Sequence, residues 1–198
     1  IREAPARYVR SGVGDAVSNI SCVADWELAH EIRREDIDGL AAAMARQAGE
    51  AVLRHPGGVG DDAFLKVLAE GLVLTGISMS IAGDSRPASG ACHEINHAFD
   101  LLYPKRAASH GEQVGLGACF AMHLRGAHEE SAQMAAVLRR HGLPVLPEEI
   151  GFTAEEFVRA VDYAPQTRPG RFTILEHLNL STDQIRDAYA DYAKAIHS

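Results

Sequence analysis

Residues Asp61–Asp100 read DDAFLKVLAEGLVLTGISMSIAGDSRPASGACHEINHAFD. The first 23 residues are mostly apolar and carry none of the period-two alternation of a half-buried strand. They predict one long helix, too apolar for a surface position and therefore central in a bundle. GDSRPASG then breaks it, because Gly and Pro interrupt helical geometry. ASGACHEINHAFDLL predicts the next helix. A helix, a tight polar break and a second helix, with no strand between them, is the grammar of an all-α bundle.

Outward from this stretch the same pattern continues. DAVSNISCVADWELAH (Asp15 to His30) places Val17, Ile20, Val23, Ala24 and Leu28 near one face. REDIDGLAAAMARQAGEAVLRH carries a start signal at Asp36 and ends at the loop PGGVGDD. HGEQVGLGACFAMHLRG and EESAQMAAVLRRHG follow as helices, with Gly142 as the C-cap of the second. TAEEFVRAVDYA opens on a capping box, Thr153 to Glu156. PQTRPGRFTILEHLNLS reads as irregular, with room for one short strand or turn. The last helix is STDQIRDAYADYAKAIHS, capped by Ser181 or Thr182. Roughly eight helices in one all-α domain over residues 1–198 is the economical expectation.

The totals set limits. At 198 residues, 46% of them apolar, the chain can build a core without covalent staples. A formal charge of −8, with no run of Lys or Arg longer than two, argues against nucleic acid as the main partner. Cys22, Cys92 and Cys119 show no paired spacing, so a disulfide framework is not expected and a reducing compartment, the cytoplasm, is. No membrane span and no signal peptide are expected. The composition leaves room for a homo-oligomer. The opening on Ile1 reads as the start of a segment already inside a fold.

His93 and His97 stand one helical turn apart and point to one side, as does Asp100. His110 begins the next helix behind the short connector YPKRAAS, so His93 and His110 can face one another. Imidazoles are the commonest protein ligands for zinc, and a catalytic site needs about three protein ligands with one open position. A remote carboxylate would complete such a set. The same histidines can equally be core or surface residues, since the chain has ten. His30, His55, His123, His128, His141 and His197 read as background. Asp15, behind glycines 12 and 14, reads on its own as a helix N-cap.

In this order, RYVRSGVGDAVSNISCVADWELAH, GISMSIAGDSRPASGACHEINHAFD, SHGEQVGLGACFAMHL and TRPGRFTILEHL resemble the glycerol-1-phosphate dehydrogenases. These belong to the superfamily of glycerol dehydrogenase, iron-dependent alcohol dehydrogenases and 3-dehydroquinate synthase. The resemblance spans about Ala4 to Leu180. It implies the helical, metal-binding C-terminal domain of a two-domain enzyme. The NAD(P)-binding α/β half would lie upstream, since no strand–Gly-rich turn–helix unit occurs here.

The resemblance further implies metal ligands at Asp15, His93 and His110, with zinc favoured by the O,N,N set. Iron-dependent members add a histidine four residues after the aspartate, where this chain has Asn19. Glutamate at the aspartate position marks the synthases, so Asp15 favours a dehydrogenase. The implied reaction is NAD(P)H-linked reduction of dihydroxyacetone phosphate, or a related small phosphorylated ketone, to the polyol phosphate. Asp15, Ser85, Arg86, Ser89 and His97 are the substrate-binding candidates. Arg86 is the phosphate contact or else an internal brace, and His97 is a proton relay or a packing residue. Arg168 and Arg171 are weaker phosphate candidates. His177 and Trp26 are expected to be structural. A cyclase would need more lysines than Lys66, Lys105 and Lys194. A helical remnant without catalysis is the remaining alternative. Cys92 replaces the glutamate common before the first histidine of the family.

Overall fold

The computed structural model describes residues 1–106 and 108–197. Among them there are nine α-helices and no strand: α1 Ala6–Arg33, α2 Gly39–Arg54, α3 Asp62–Ala82, α4 Ala91–Leu102, α5 His110–Leu124, α6 His128–Arg140, α7 Ala154–Tyr163, α8 Ile174–Leu178 and α9 Thr182–His197. The all-α expectation holds. The stretch expected to hold a strand or turn instead forms a 3-10 turn, Ala164–Thr167, and the short helix α8.

Several helix starts follow local chemistry. Asp38, rather than Asp36, caps α2 by accepting from Ala41 N at 2.9 Å. Asp61 caps α3 through Ala63 N. The Thr153–Glu156 box forms as expected, with Thr153 Oγ1 and the Glu156 carboxylate each accepting from the other's backbone N–H. Ser181 and Gln184 make the same reciprocal contact at α9. Gly142 adopts φ 70° behind α6.

Two expectations change. The central helix is α1, which packs against α2, α3, α4, α5 and α6. It also starts nine residues before Asp15, so Asp15 is a mid-helix residue and not an N-cap. Helix α3 lies at the edge, against α2 and α1. Its inner face is Phe64, Leu65, Leu68, Gly71, Thr75 and Ser78. On its outer face Val73, Ile77 and Ile81 are 62%, 47% and 41% exposed. Helix α3 is also long and apolar enough, by length and composition, to cross a membrane. Composition therefore does not exclude a span as expected.

Glycines 12 and 14 look like helix breakers, yet both lie inside α1, and Gly14 serves a close crossing of α1 and α5. A Cβ on Gly14 would stand 2.1 Å from the Gly111 carbonyl oxygen, and one on Gly111 would stand 1.8 Å from the Ser11 carbonyl oxygen. The Gly111 N–H donates to Ser11 Oγ at 3.0 Å across the same crossing. Only glycine permits backbones to approach this closely. The crossing sets Asp15, the residue after Gly14, beside His110, the residue before Gly111.

Candidate metal centre

Asp15 comes from the middle of α1, His93 from the first turn of α4 and His110 from the first residue of α5. Their ligand atoms converge. Asp15 Oδ1 lies 3.7 Å from His93 Nε2 and 3.5 Å from His110 Nε2. The two rings are 5.2 Å apart, tilted by 58°. These separations are long for hydrogen bonds. They suit the edges of a coordination tetrahedron, about 3.4 Å for metal–ligand distances near 2.1 Å. The carboxylate-plus-two-imidazole set, convergent and within 4.8 Å, thus fits a zinc-like ion. The side chains of Asp15 and His110 are 41% and 49% exposed, which leaves one side open to an incoming ligand.

The outer contacts orient the rings. Asn96 Oδ1 accepts from His110 Nδ1 at 2.9 Å, which frees the His110 Nε2 lone pair. Asn96 Nδ2 donates to Gln113 Oε1 at 3.0 Å, and both residues are buried. Asp100, expected on the face of His93, lies behind this pair and accepts weakly from Asn96 and Gln113. Asn19 turns the other way, donating to Thr75 Oγ1 on α3 at 2.7 Å. Neither Asn96 nor Gln113 was legible as a site residue, because amides carry no spacing signature. Asn96 lies one turn before Asp100, a neighbourhood read only for its histidines.

Charge follows from the same geometry. Burial opposes ionisation of Asp15, but attraction to the adjacent His110 and His93 rings outweighs it and holds the carboxyl well below its ordinary range. Burial also opposes charge on His93, yet the Cys92 sulfur and Asp15 raise that ring to about 9. Burial, then the charges of His93 and Arg168, push His97 below its ordinary value, so its ring is neutral at pH 7.

Behind the cluster, Asp25 of α1 is fully buried and accepts from Ala91 N, Ile174 N and the Arg125 guanidinium at 2.8, 2.9 and 2.5 Å. One carboxylate thus caps α4 and α8 and neutralises a buried arginine. It fixes the turn that presents His93. Sequence reasoning missed it because a lone Asp in an apolar helix has no pattern of its own.

The loop before α4 contains the remaining candidates. Arg86 is only 2% exposed. Its guanidinium forks onto both Glu35 carboxylate oxygens and also donates to Phe172 O at 2.9 Å. It is a brace, with its Nε–Nη2 fork filled by Glu35. Arg168 and Arg171 reach the same loop from the other side. Arg168 donates to Ser89 Oγ at 2.6 Å and Ser85 Oγ at 3.3 Å; Arg171 donates to Ser89 O and Ser85 Oγ, each at 3.1 Å. Neither has a carboxylate within ion-pair distance among the described residues. Burial and the charges of Arg86 and Arg168 lower the Arg171 pKa, the mark of crowded cations. An open polar pocket is lined by Glu35, Asp84, Arg86, Thr167, Arg168 and Arg171, together with Pro169 and Gly170.

Elsewhere Trp26 is buried and donates to Asp36 O, a structural role. Among the background histidines, His123 and His141 are buried rather than surface residues. His141 stacks on Phe64 with ring centroids 4.6 Å apart.

No family model matches the chain. Among curated proteins, the chain is 41% identical to the glycerol-1-phosphate dehydrogenase [NAD(P)+] of Pyrococcus furiosus over 177 residues, 88% of this chain and 50% of that protein. It is 38% identical to the enzyme of the same name from Staphylothermus marinus over 185 residues, 92% of this chain and 52% of that protein. Among solved structures, a probable glycerol dehydrogenase from Sinorhizobium meliloti 1021 superposes with a TM-score of 0.74 at 20% identity, over 98% of this chain and 57% of that one. Glycerol dehydrogenase from Schizosaccharomyces pombe gives 0.69 at 21% identity, over all of this chain and 53% of that one. The structures share the fold, and the chain spans about half the length of the curated relatives it matches. By sequence, over that half, the chain is similar to the glycerol-1-phosphate dehydrogenases.

Proposed function

We propose that this chain is the metal-binding, substrate-positioning part of an NAD(P)-linked dehydrogenase that reduces dihydroxyacetone phosphate, or a closely related ketone phosphate, to glycerol 1-phosphate or its analogue. The observation that carries the reading is the convergence of Asp15, His93 and His110 from three helices. Asp15 Oδ1, His93 Nε2 and His110 Nε2 hold the ion, and zinc suits the O,N,N set. When bound, the ion polarises the substrate carbonyl as a Lewis acid, and hydride comes from the nicotinamide cofactor.

The chain's own residues do the rest. Asn96 keeps His110 in the ligating tautomer. His97, neutral and within the influence of both His93 and Arg168, hydrogen-bonds the substrate between its carbonyl and phosphate ends. The phosphate lies against Arg168 and Arg171, neither of which is held in a direct ion pair among the described residues, with Ser85 and Ser89 beneath them. This moves the phosphate contact from Arg86, whose fork is filled by Glu35. The three free thiols fit a reducing, cytoplasmic setting.

Metal analysis of the purified chain tests the reading. The expected result is one zinc per chain, lost in Asp15→Ala or His110→Ala while the helical circular dichroism persists. A wild-type chain that takes up no ion at micromolar zinc overturns it.

A further inference from the structure

His93 has a second nitrogen, and it faces two thiols. Cys92 Sγ lies 3.3 Å from His93 Nδ1 and Cys22 Sγ lies 3.8 Å from it, while the two sulfurs are 3.5 Å apart. Both cysteines are free and wholly buried, one on the face of α1 that meets α4 and one in the first turn of α4. The triangle is compact. The point equidistant from the three atoms lies about 2.1 Å from each in their plane, and a small step out of the plane reaches the ~2.3 Å of a metal–thiolate bond. In an ideal tetrahedron of that size the sulfur–sulfur edge is about 3.8 Å and the sulfur–nitrogen edge about 3.6 Å. The two sulfur–nitrogen edges, 3.3 and 3.8 Å, bracket their value, and the sulfur–sulfur edge of 3.5 Å is slightly short of its own.

We propose that Cys22 Sγ, Cys92 Sγ and His93 Nδ1 form a second metal site, selective for soft, thiophilic cations. Two thiolates and one imidazole are the donor set of such ions, and among the described residues no carboxylate joins the cluster to recruit a hard one. Asp25, the nearest buried carboxylate on α1, has its oxygens occupied by Ala91 N, Ile174 N and Arg125. Binding releases the thiol protons to solvent and changes no oxidation state.

A consequence follows that rests on the proposed Asp15–His93–His110 centre. A neutral imidazole offers one lone pair. With an ion on Nδ1 the ring proton stays on Nε2, and His93 is lost to the Asp15 side. A soft cation and the catalytic ion therefore compete for one histidine.

Cadmium is the probe, because cadmium–thiolate bonds absorb in the ultraviolet. The reduced, chelator-stripped chain is titrated with Cd2+ and followed by charge-transfer absorption. X-ray absorption at the cadmium edge then counts sulfur neighbours in the wild-type protein, so the test does not depend on variants folding. The expected result is saturation at one equivalent with two sulfurs and one nitrogen around the ion. The band should vanish in Cys22→Ser and Cys92→Ser and survive in Cys119→Ser and Asp15→Asn. A cadmium centre with fewer than two sulfurs, no band at all, or Cys22 and Cys92 isolated as a disulfide overturns the proposal. Pre-loading with one zinc should raise the cadmium midpoint at least tenfold in the wild type and by a clearly smaller factor in Asp15→Asn, where zinc competes only for the thiolate site. If the band saturates with two sulfurs and zinc affects wild type and Asp15→Asn alike, the soft site stands and the shared-histidine consequence fails with the Asp15 reading.

Discussion

Glu94 sits one residue from the proposed ligand His93 but faces the opposite way, into a pocket with no solvent. Burial, then the charges of Glu176 and Asp25, raise its carboxyl to about 9, against an ordinary 4.5. Hydrogen bonding to Thr173 opposes this rise only when Thr173 donates to Glu94, and the geometry favours its donation elsewhere. Thr173 Oγ1 lies 2.6 Å from Glu176 Oε2 and 3.1 Å from Glu94 Oε2. The hydroxyl has one proton, and Glu176 takes it. A protonated Glu94 then donates to Thr173 Oγ1. Because the folded pKa is the higher one, this group stabilises the fold fully below about pH 4.5 and loses that contribution as pH rises toward 9. Glu94→Gln keeps a donor to Thr173 without the ionisation. Thermal melts of the metal-free chain from pH 5 to pH 9 should show the wild type falling relative to Glu94→Gln, with the variant the more stable at pH 9. Parallel curves would refute the assignment of a neutral Glu94.

Elements show where the sequence was readable and where it was not. Periodicity and capping residues located most of the helices, because an apolar stripe and a capping hydroxyl or carboxylate are local signals. Two elements were misread for non-local reasons. Helix α1 was cut short at Asp15 since Gly12 and Gly14 look like a break, and only a partner helix reveals why Gly14 is there. Helix α3 looked central because composition measures apolarity without saying which face is covered. Of the site, the histidine pair on neighbouring helices was visible from spacing. Asp15 came from resemblance alone, and Asn96, Gln113 and Asp25 from neither. The crossing that unites the ligands makes a sharp prediction. Gly111→Ala puts a methyl 1.8 Å from the Ser11 carbonyl oxygen, with backbone on both sides and nothing flexible to yield. Helices α1 and α5 must separate, at a cost on the order of 1–3 kcal/mol for overpacking. Urea denaturation should report that loss, and zinc affinity should fall with it because Asp15 and His110 move apart. A control, Gly76→Ala, meets nothing within 4 Å and should leave zinc binding unchanged.

The whole molecule hangs together around one charge. Asp25 joins α1 to the starts of α4 and α8 and to the end of α5, through two backbone N–H groups and the Arg125 guanidinium. Gly90 is required beside it, since a Cβ there would meet Asp25 Oδ2 at 2.3 Å. The helices that carry the proposed ligands are thus registered against one another by a carboxylate that touches none of those ligands. Removing one partner of a buried ion pair strands the other, which costs roughly 3–5 kcal/mol. The two orphaned N–H groups of α4 and α8 add to that in the same direction. Asp25→Ala should therefore lower the urea midpoint strongly and weaken zinc binding in the fraction that still folds, since α4 carries His93. Asp25→Asn retains an acceptor for one helix start but not the charge on Arg125, and should fall between wild type and Asp25→Ala. If Asp25→Ala lost less than about 1 kcal/mol, a typical surface effect rather than a buried one, the junction would not be what holds the three ligand helices in register. The glycine crossing of α1 and α5 would then have to hold them alone, and Gly111→Ala would show the larger loss of zinc.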